Sequence, residues 1–401
     1  MNKAKASLAT CCAAHTLHDG LTDLLYVLLP VLAQAFGLSY AQVGLIRSAN
    51  KGAMAALQLP AGLAAERLGE RILLAFGTAL AGAAFLGLGL ASGFYAILLL
   101  LFVAGAGNAF QHPLSSSIIS NAYPSEGRRI ALGTYNFFGD VGKVAFAGAT
   151  SLMIVAGFGW QVPALVSGVL GLACAAAVLV VLGNTGAGAR PHAAAVHAAN
   201  QRVKGWGIRN RQGWYALCAI EVIDNSTRNG FLTFVAFLML ARGVPEGWAL
   251  MSVPLVALGG TAGKLACGFL AERLGVIRTV VITEIATGIG IALTLVLPPA
   301  AAYLLLPLIG VALNGTSSAL YGTVGDLIEP ERVPRAFGLF YTLGSTCGVV
   351  APLVYGLIGD AIGIKPTIAL VAAVVLITLP LALLLRPALM SLRAVRAARA
   401  A

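Results

Sequence analysis

Charge is scarce in this sequence: Asp, Glu, Lys and Arg together make up 10% of its 401 residues. With 59% hydrophobic residues and a mean hydropathy of +0.88, the chain has too little polar surface to coat a globule, which excludes a soluble domain. Acidic residues are the scarcer sign, 15 against 26 Lys and Arg, for a formal net charge of +11. That excess is split among short loops instead of gathered on one domain, so no nucleic-acid partner is expected. Cysteine is sparse as well. Cys11, Cys12, Cys174, Cys218, Cys267 and Cys347 lie inside apolar stretches without C-x-x-C spacing, which leaves no disulfide framework or metal cluster and makes them packing residues. H-E-x-x-H, P-loop and G-x-S-x-G motifs are all missing. No enzyme, no metal, no cofactor and no direct ATP hydrolysis are therefore expected.

What the chain does have is a succession of apolar runs of about 20 residues, each long enough to cross the roughly 30 Å hydrocarbon layer of a bilayer as a helix. They fall near 11–33, 40–64, 73–92, 94–120, 128–155 and 160–182, then near 213–240, 246–270, 278–298, 301–325, 334–360 and 365–386. Their Ala, Leu and Gly content lacks the two-residue alternation of a barrel, and a helix satisfies its own backbone in lipid. The expectation is an all-α membrane protein of twelve transmembrane helices. Lys3 and Lys5, Arg67 and Arg71, Arg128 and Arg129, Arg202 to Arg211, Arg273 and Arg278, Arg332 and Arg335, and Arg393 to Arg399 fall in alternate loops or at the ends. Because Lys and Arg are retained on the cytoplasmic side, both termini and the long central loop belong in the cytoplasm of a bacterial cell, with the helices in its inner membrane. The first run contains His15, His18, Asp19 and Asp23 and no small-residue cleavage site, so it reads as a permanent helix and not as a signal.

The chain also repeats itself. Gly62-Leu-Ala-Ala-Glu66-Arg67-Leu-Gly69 after the second run returns as Gly268-Phe-Leu-Ala-Glu272-Arg273-Leu-Gly275 after the eighth, an offset of 206 residues (268 − 62). Asn108 and Asn314, Arg129 and Arg335, and Tyr135 and Tyr341 keep the same offset. Two pseudo-symmetric six-helix halves follow, 1–185 and 213–401, the second with a basic tail, joined by a Gly-, Ala- and Arg-containing cytoplasmic linker at 186–212. Such repeats in a membrane chain point to a transporter with its binding site between the halves.

At Gly62 to Arg71 the chain resembles the major facilitator superfamily, whose loop between helices two and three reads G-x-x-x-[DE]-R-x-G-x-[RK]. Its first half is similar to the fosmidomycin-resistance branch through His15 with Asp19, the run Leu29-Pro-Val-Leu-Ala-Gln-Ala-Phe-Gly-Leu-Ser-Tyr-Ala-Gln-Val-Gly44, and Phe110-Gln-His112-Pro113-Leu-Ser-Ser. The resemblance implies the major facilitator fold and efflux coupled to inward proton movement. One stretch departs from the antiporter pattern: where a Gly-Pro pair is expected in the fifth helix, this chain reads Gly139-Asp140-Val-Gly142-Lys143. The resemblance also makes the signature loop a cytoplasmic gate. Its gating residues are Gly62, Glu66, Arg67, Gly69 and Arg71, with Glu272 and Arg273 in the second copy. Glycines permit the tight turn, Glu66 can sit near a helix N-terminus or an Arg of the opposite half, and Arg67 and Arg71 hold the loop at the interface.

Ionisable groups inside the bilayer cost several kcal/mol and are functional candidates by default. Asp140 with Lys143, and Asp224 with Arg228, are spaced to neutralise each other on one helix, whereas Arg47 and Lys51, four apart, repel and call for an anion beside them. Arg47, Lys51, Lys143 and Arg228 are thus candidate anion ligands, with polar contacts from Asn108, Gln111, Tyr135, Asn136, Asn314 and Tyr341. His15, Asp19, Asp23, His112, Asp140 and Asp224 are candidates for proton coupling, since imidazole titrates near neutral pH and a carboxylate can change its proton affinity between states. The function expected is proton-coupled transport of a small anionic organic solute or drug by a monomer, with efflux as the first reading. Uptake symport of an organic anion, a multidrug exporter with a looser pocket, and a nontransporting sensor of the same fold are the alternatives.

Overall fold

The structure is a computed structural model that describes residues 3–123, 125–189, 207–328 and 333–400, some helical positions by their backbone alone. The described residues are helical almost throughout, with one isolated antiparallel bridge between Ile208 and Ile328. The helices are α1 (Lys3–Phe36), α2 (Tyr40–Leu68), α3 (Glu70–Leu88), α4 (Phe94–Asn108), α5 (Gln111–Ala122), α6 (Ser125–Val155) and α7 (Gln161–Thr185), followed by α8 (Arg211–Ala241), α9 (Glu246–Leu274), α10 (Val276–Val296), α11 (Pro299–Leu327), α12 (Val333–Ile362), α13 (Ile364–Val374) and α14 (Thr378–Ala400). These elements track the twelve apolar runs, two of which are interrupted. α4 and α5 form one span, as do α13 and α14 with the 3-10 turn Val375–Ile377 between them.

Nine helical stretches among the described residues are long and apolar enough to cross a membrane. The long helices outside that set are α2, α8 and α9, where charges such as Arg47 and Lys51 in α2 and Glu221, Asp224 and Arg228 in α8 lower the hydropathy. Large apolar side chains such as Leu99, Val169, Leu304 and Leu308 point outward and polar ones such as Arg47, Asn108 and Glu221 point inward, the reverse of a water-soluble helix bundle. This distribution is stable only where lipid is the solvent.

Local sequence explains where the helices begin and end. Ser39 caps α2 by accepting from the Gln42 backbone at 3.2 Å, while the Gln42 side chain accepts from the Ser39 N–H at 2.9 Å. Gly69 is the single residue between α2 and α3, and Gly275 the single residue between α9 and α10. Both sit at φ 84°, and each donates its N–H to the carbonyl four residues back, Ala65 and Ala271 respectively. Only glycine adopts that backbone without strain, so the repeated motif codes for two identical sharp turns. The break between α4 and α5 lies before Pro113, which has no N–H for the carbonyl of Ala109 to accept from.

The chain groups into two compact units, Met1–Gln201 with Glu246–Pro254, and Arg202–Pro245 with Leu255–Ala401. In the first, α1 and α6 approach closely because Gly142 lies against the Thr16 carbonyl, where a Cβ would come within 2.1 Å, and Gly139 lies against the His15 ring. The contact is sealed by Thr16, whose hydroxyl donates to the Phe138 carbonyl at 2.9 Å. This approach sets Asp140 and Lys143 beside Asp19. In the second unit α8 carries Trp214, Leu217 and Ile220 into an apolar core with Leu320, Val324, Phe340 and Leu385.

Candidate functional site

The polar centre of the first unit is built around Asp19, halfway along α1. Its carboxylate meets three cationic or titratable groups from three helices. Lys143 Nζ of α6 is 3.1 Å from Oδ2, His15 Nε2, one turn earlier on α1, is 3.3 Å from the same oxygen, and His112 Nε2 of α5 is 3.4 Å from Oδ1. Lys143 is shared, since it also reaches Asp140 Oδ1 at 2.9 Å. The expected one-turn pair Asp140–Lys143 is present, and Asp19 joins it.

His15 is held in one orientation. Its Nδ1 is 2.8 Å from the Tyr135 carbonyl, its ring stacks on the Tyr135 ring at 4.0 Å and meets the His112 ring edge-on at 5.0 Å, and 3% of the residue is exposed. A carbonyl can only accept, so Nδ1 carries the hydrogen and Nε2 faces Asp19. Tyr135 is fixed in turn by Gln111, whose Nε2 donates to the phenol oxygen at 2.8 Å. His112 is the accessible member, its side chain 38% exposed. The ligating atoms of His15, Asp19 and His112 lie within 4.8 Å of one another, close enough to hold a cation, but the Lys143 ammonium already sits against the shared Asp19 oxygen. A divalent metal there would meet a fixed positive charge.

A second buried chain of hydrogen bonds runs beside this one. His18, 2% exposed, contacts Asn108 Oδ1 through Nδ1 at 2.6 Å and Thr78 Oγ1 through Nε2 at 2.9 Å, and Asn108 Nδ2 donates to Thr22 Oγ1 at 3.1 Å. The Thr78 hydroxyl gives its hydrogen to the Leu74 carbonyl at 2.7 Å. It therefore accepts from His18, which ties α1, α3 and α4 together.

Arg47 is fully buried. Nη1 donates to the Thr22 carbonyl at 2.9 Å, Cζ lies 3.9 Å from the Tyr26 ring centroid, and Nε and Nη2 have no hydrogen-bond partner. An aromatic face and a carbonyl hold one side of the guanidinium. Lys51, Asp23, Asp19 and Lys143 all lie within electrostatic reach of one another. Asn136 is exposed, away from the buried cluster.

The remaining candidates belong to the second unit. Arg228 is 3.8 Å from Asp224, too long for a hydrogen bond, and instead donates to Asn225 Oδ1. Asn314 donates to the Gly310 carbonyl of its own helix at 3.2 Å. Of the gating residues, Gly62, Gly69, Arg71 and Arg273 are described, and the Arg71 backbone donates to the Gly188 carbonyl at 2.9 Å. The side chains of Glu66, Arg67, Glu272 and Tyr341, and most of the expected linker, lie outside the described residues.

Sequence reasoning missed Glu284, a carboxylate in the middle of α10 that is 1% exposed. The signal was available: it is a carboxylate inside an apolar span, the same feature that flagged Asp19 and Asp224. Thr78 and Tyr26 gave no such signal, because a hydroxyl or an aromatic ring in a membrane helix is ordinary.

This arrangement, a bundle of membrane helices with charged groups paired inside it, defines a transporter-type fold. The description of the major facilitator superfamily matches residues 11–320 and again 247–399, and the chain belongs to that superfamily. Among relatives, a gentisate transporter of Corynebacterium glutamicum is 31% identical over 146 residues, a match covering 36% of this chain and about a third (32%) of that protein's length. An uncharacterized MFS-type transporter of Bacillus subtilis, YfnC, is 25% identical over 369 residues, 89% of this chain and 87% of that one. Among solved structures, a bacterial homolog of the human lysosomal transporter Spinster, inward-facing and unoccupied, superposes with a TM-score of 0.80 at 16% identity, over 97% of this chain and 98% of that one. The nucleoside transporter NupG superposes at 0.75 with 15% identity, over 97% and 99%. At these identities the structural likeness establishes the fold.

Proposed function

We propose that this chain is a proton-coupled secondary transporter that moves a small anionic organic solute by alternating access, with the proton carried at His15 and Asp19. The observation that carries this reading is the direction of the His15 ring. With the Nδ1 hydrogen committed to the Tyr135 carbonyl, a neutral His15 turns a bare lone pair toward an Asp19 oxygen at 3.3 Å, and two acceptors repel. A proton on Nε2 converts the contact into a charge-assisted hydrogen bond. It also adds a second positive partner for Asp19, whose contact with Lys143 is shared with Asp140. His112, the exposed member, is suited to pass that proton to water.

The anionic solute is supported by the unspent donors of Arg47, by the nearby Lys51, and by similarity over part of the chain to a transporter of gentisate, a hydroxylated benzoate. On this reading Asn108, Gln111, Tyr135, Asn136, Arg228, Asn314 and Tyr341 supply polar contacts, and Asp23, Asp140 and Asp224 tune the proton sites. The repeated loops with Glu66, Arg67, Glu272 and Arg273 gate the cytoplasmic side. The halves 1–185 and 213–401 are joined by the linker 186–212, and the chain works as a monomer in a bacterial inner membrane with both termini in the cytoplasm. Efflux is the direction we favour, from the likeness of the first half to the fosmidomycin-resistance branch. Uptake by symport is the second reading, favoured by Asp140 and Lys143 standing where the antiporter pattern has Gly-Pro.

Reconstituted vesicles loaded with hydroxybenzoates and other organic anions test this directly. A pH gradient should drive solute movement in the wild type, and His15→Gln should lower that rate by about tenfold or more, the worth of one charge-assisted hydrogen bond, while solute exchange without a gradient continues. Gradient-driven movement at the wild-type rate in His15→Gln would remove the proton role of His15.

A further inference from the structure

Among the described residues the second unit holds three buried carboxyl groups, Glu221 and Asp224 on α8 and Glu284 on α10, with 0, 2 and 1% of each residue exposed. One guanidinium, Arg228, faces them, and it is spent on Asn225. Glu221 has donors of its own, since its Oε1 accepts from Asn225 Nδ2 at 2.5 Å and from the Tyr321 hydroxyl at 3.3 Å. Among the described residues, Asp224 Oδ2 and both Glu284 oxygens lack a donor.

The hydroxyl that adjoins Glu284 from α11 spends its hydrogen elsewhere. Thr316 of α11 adjoins Glu284, but its hydrogen goes to Thr283 Oγ1 at 2.7 Å, and the Thr283 hydrogen goes to the Thr279 carbonyl at 2.9 Å. What Glu284 of α10 does meet is the carboxyl group of Asp224 on α8, within hydrogen-bonding reach. Two ionised carboxylates opposed without a donor in a buried site repel strongly, and one proton shared between them removes the repulsion and joins an oxygen of each in one hydrogen bond. The other groups within electrostatic reach of the pair are Glu221 and Arg228 from α8 and Cys347 from α12, with Tyr321 of α11 acting through Glu221.

We infer that Asp224 and Glu284 hold one proton between them, forming a second protonation site in the C-terminal half that is separate from His15 and Asp19. Arg228 is the group that exchanges with this proton. Its Nη2 stands 3.8 Å from Asp224 Oδ2, so a change of rotamer that releases Asn225 brings the guanidinium into contact with Asp224 and supplies the positive charge in the proton's place. The site stands whether or not His15 carries a proton, and it would raise the number of protons available to the chain from one to two.

Infrared spectroscopy of the full-length protein in lipid reads this without knowledge of the solute. A protonated-carboxyl C=O band should be present at neutral pH, disappear in Glu284→Gln, which can still donate to Asp224 and so should fold, and weaken in Asn225→Ala, which frees Arg228. Labelling of the wild type with a hydrophobic carbodiimide, which attacks protonated carboxyls, should mark Glu284 or Asp224 at neutral pH. Absence of the band at neutral pH, its full persistence in Glu284→Gln, or its loss when sodium is added at constant pH would overturn the assignment, the last by showing a metal-cation site.

Discussion

Replacing Lys143 by methionine isolates the electrostatics of the first-half cluster, because methionine keeps the length and apolar stem of the side chain and removes only the ammonium. Lys143 Nζ lies 3.1 Å from Asp19 and 2.9 Å from Asp140. At an effective dielectric of about 20, each contact carries about 5 kcal/mol of gross Coulomb attraction, most of it offset by the desolvation of three charges. Removing one member of a buried pair costs about 3–5 kcal/mol, since the partner is left uncompensated. Lys143 is 29% exposed, which allows water to relieve part of that, so a loss of about 3 kcal/mol is expected. Thermal and denaturant unfolding in detergent, followed by tryptophan fluorescence, measures it. Asp140→Asn in the Lys143→Met background should restore part of the loss, giving a coupling above about 1 kcal/mol. If Lys143→Met unfolds within about 1 kcal/mol of the wild type, or Asp140→Asn adds to the damage, the three charges are not acting as one group.

Two further substitutions probe how the site is held. Gly69→Ala puts a side chain at φ 84° and should cost about 1–3 kcal/mol through backbone strain alone, visible as reduced folded yield and a lower unfolding temperature; an unchanged temperature would mean the turn relaxes freely. Asn108→Leu strands His18 Nδ1 and Thr22 and should cost about 1–3 kcal/mol, with His18→Leu adding much less than its own effect when the two are combined. Full additivity in that cycle would show that the two side chains are not partners.

The sequence alone carried the architecture, because its causes are local. Apolar runs of fixed length, loops of alternating charge and a glycine turn repeated at a constant offset each reflect a constraint of lipid or backbone that acts within a few residues. One of the two one-turn pairs was equally legible: Lys143 meets Asp140 because three residues span one face of a helix. Partners from different helices were not. Lys143 also reaches Asp19 across the α1–α6 contact, which depends on Gly139 and Gly142 allowing two backbones to approach, and the two glycines do not announce their partner. Arg47 shows the same limit. Its charge was legible, but the Tyr26 ring and the Thr22 carbonyl that hold it come from another helix. Nor does the tautomer of His15 follow from its neighbours in sequence, because the Tyr135 carbonyl that fixes it comes from another helix. Glu284 was visible as a charge, but its meaning was not, since only the tertiary structure brings it to Asp224 of another helix. Side-chain chemistry can be read from one chain; which groups face each other across a helix contact is set by how side chains interdigitate in three dimensions.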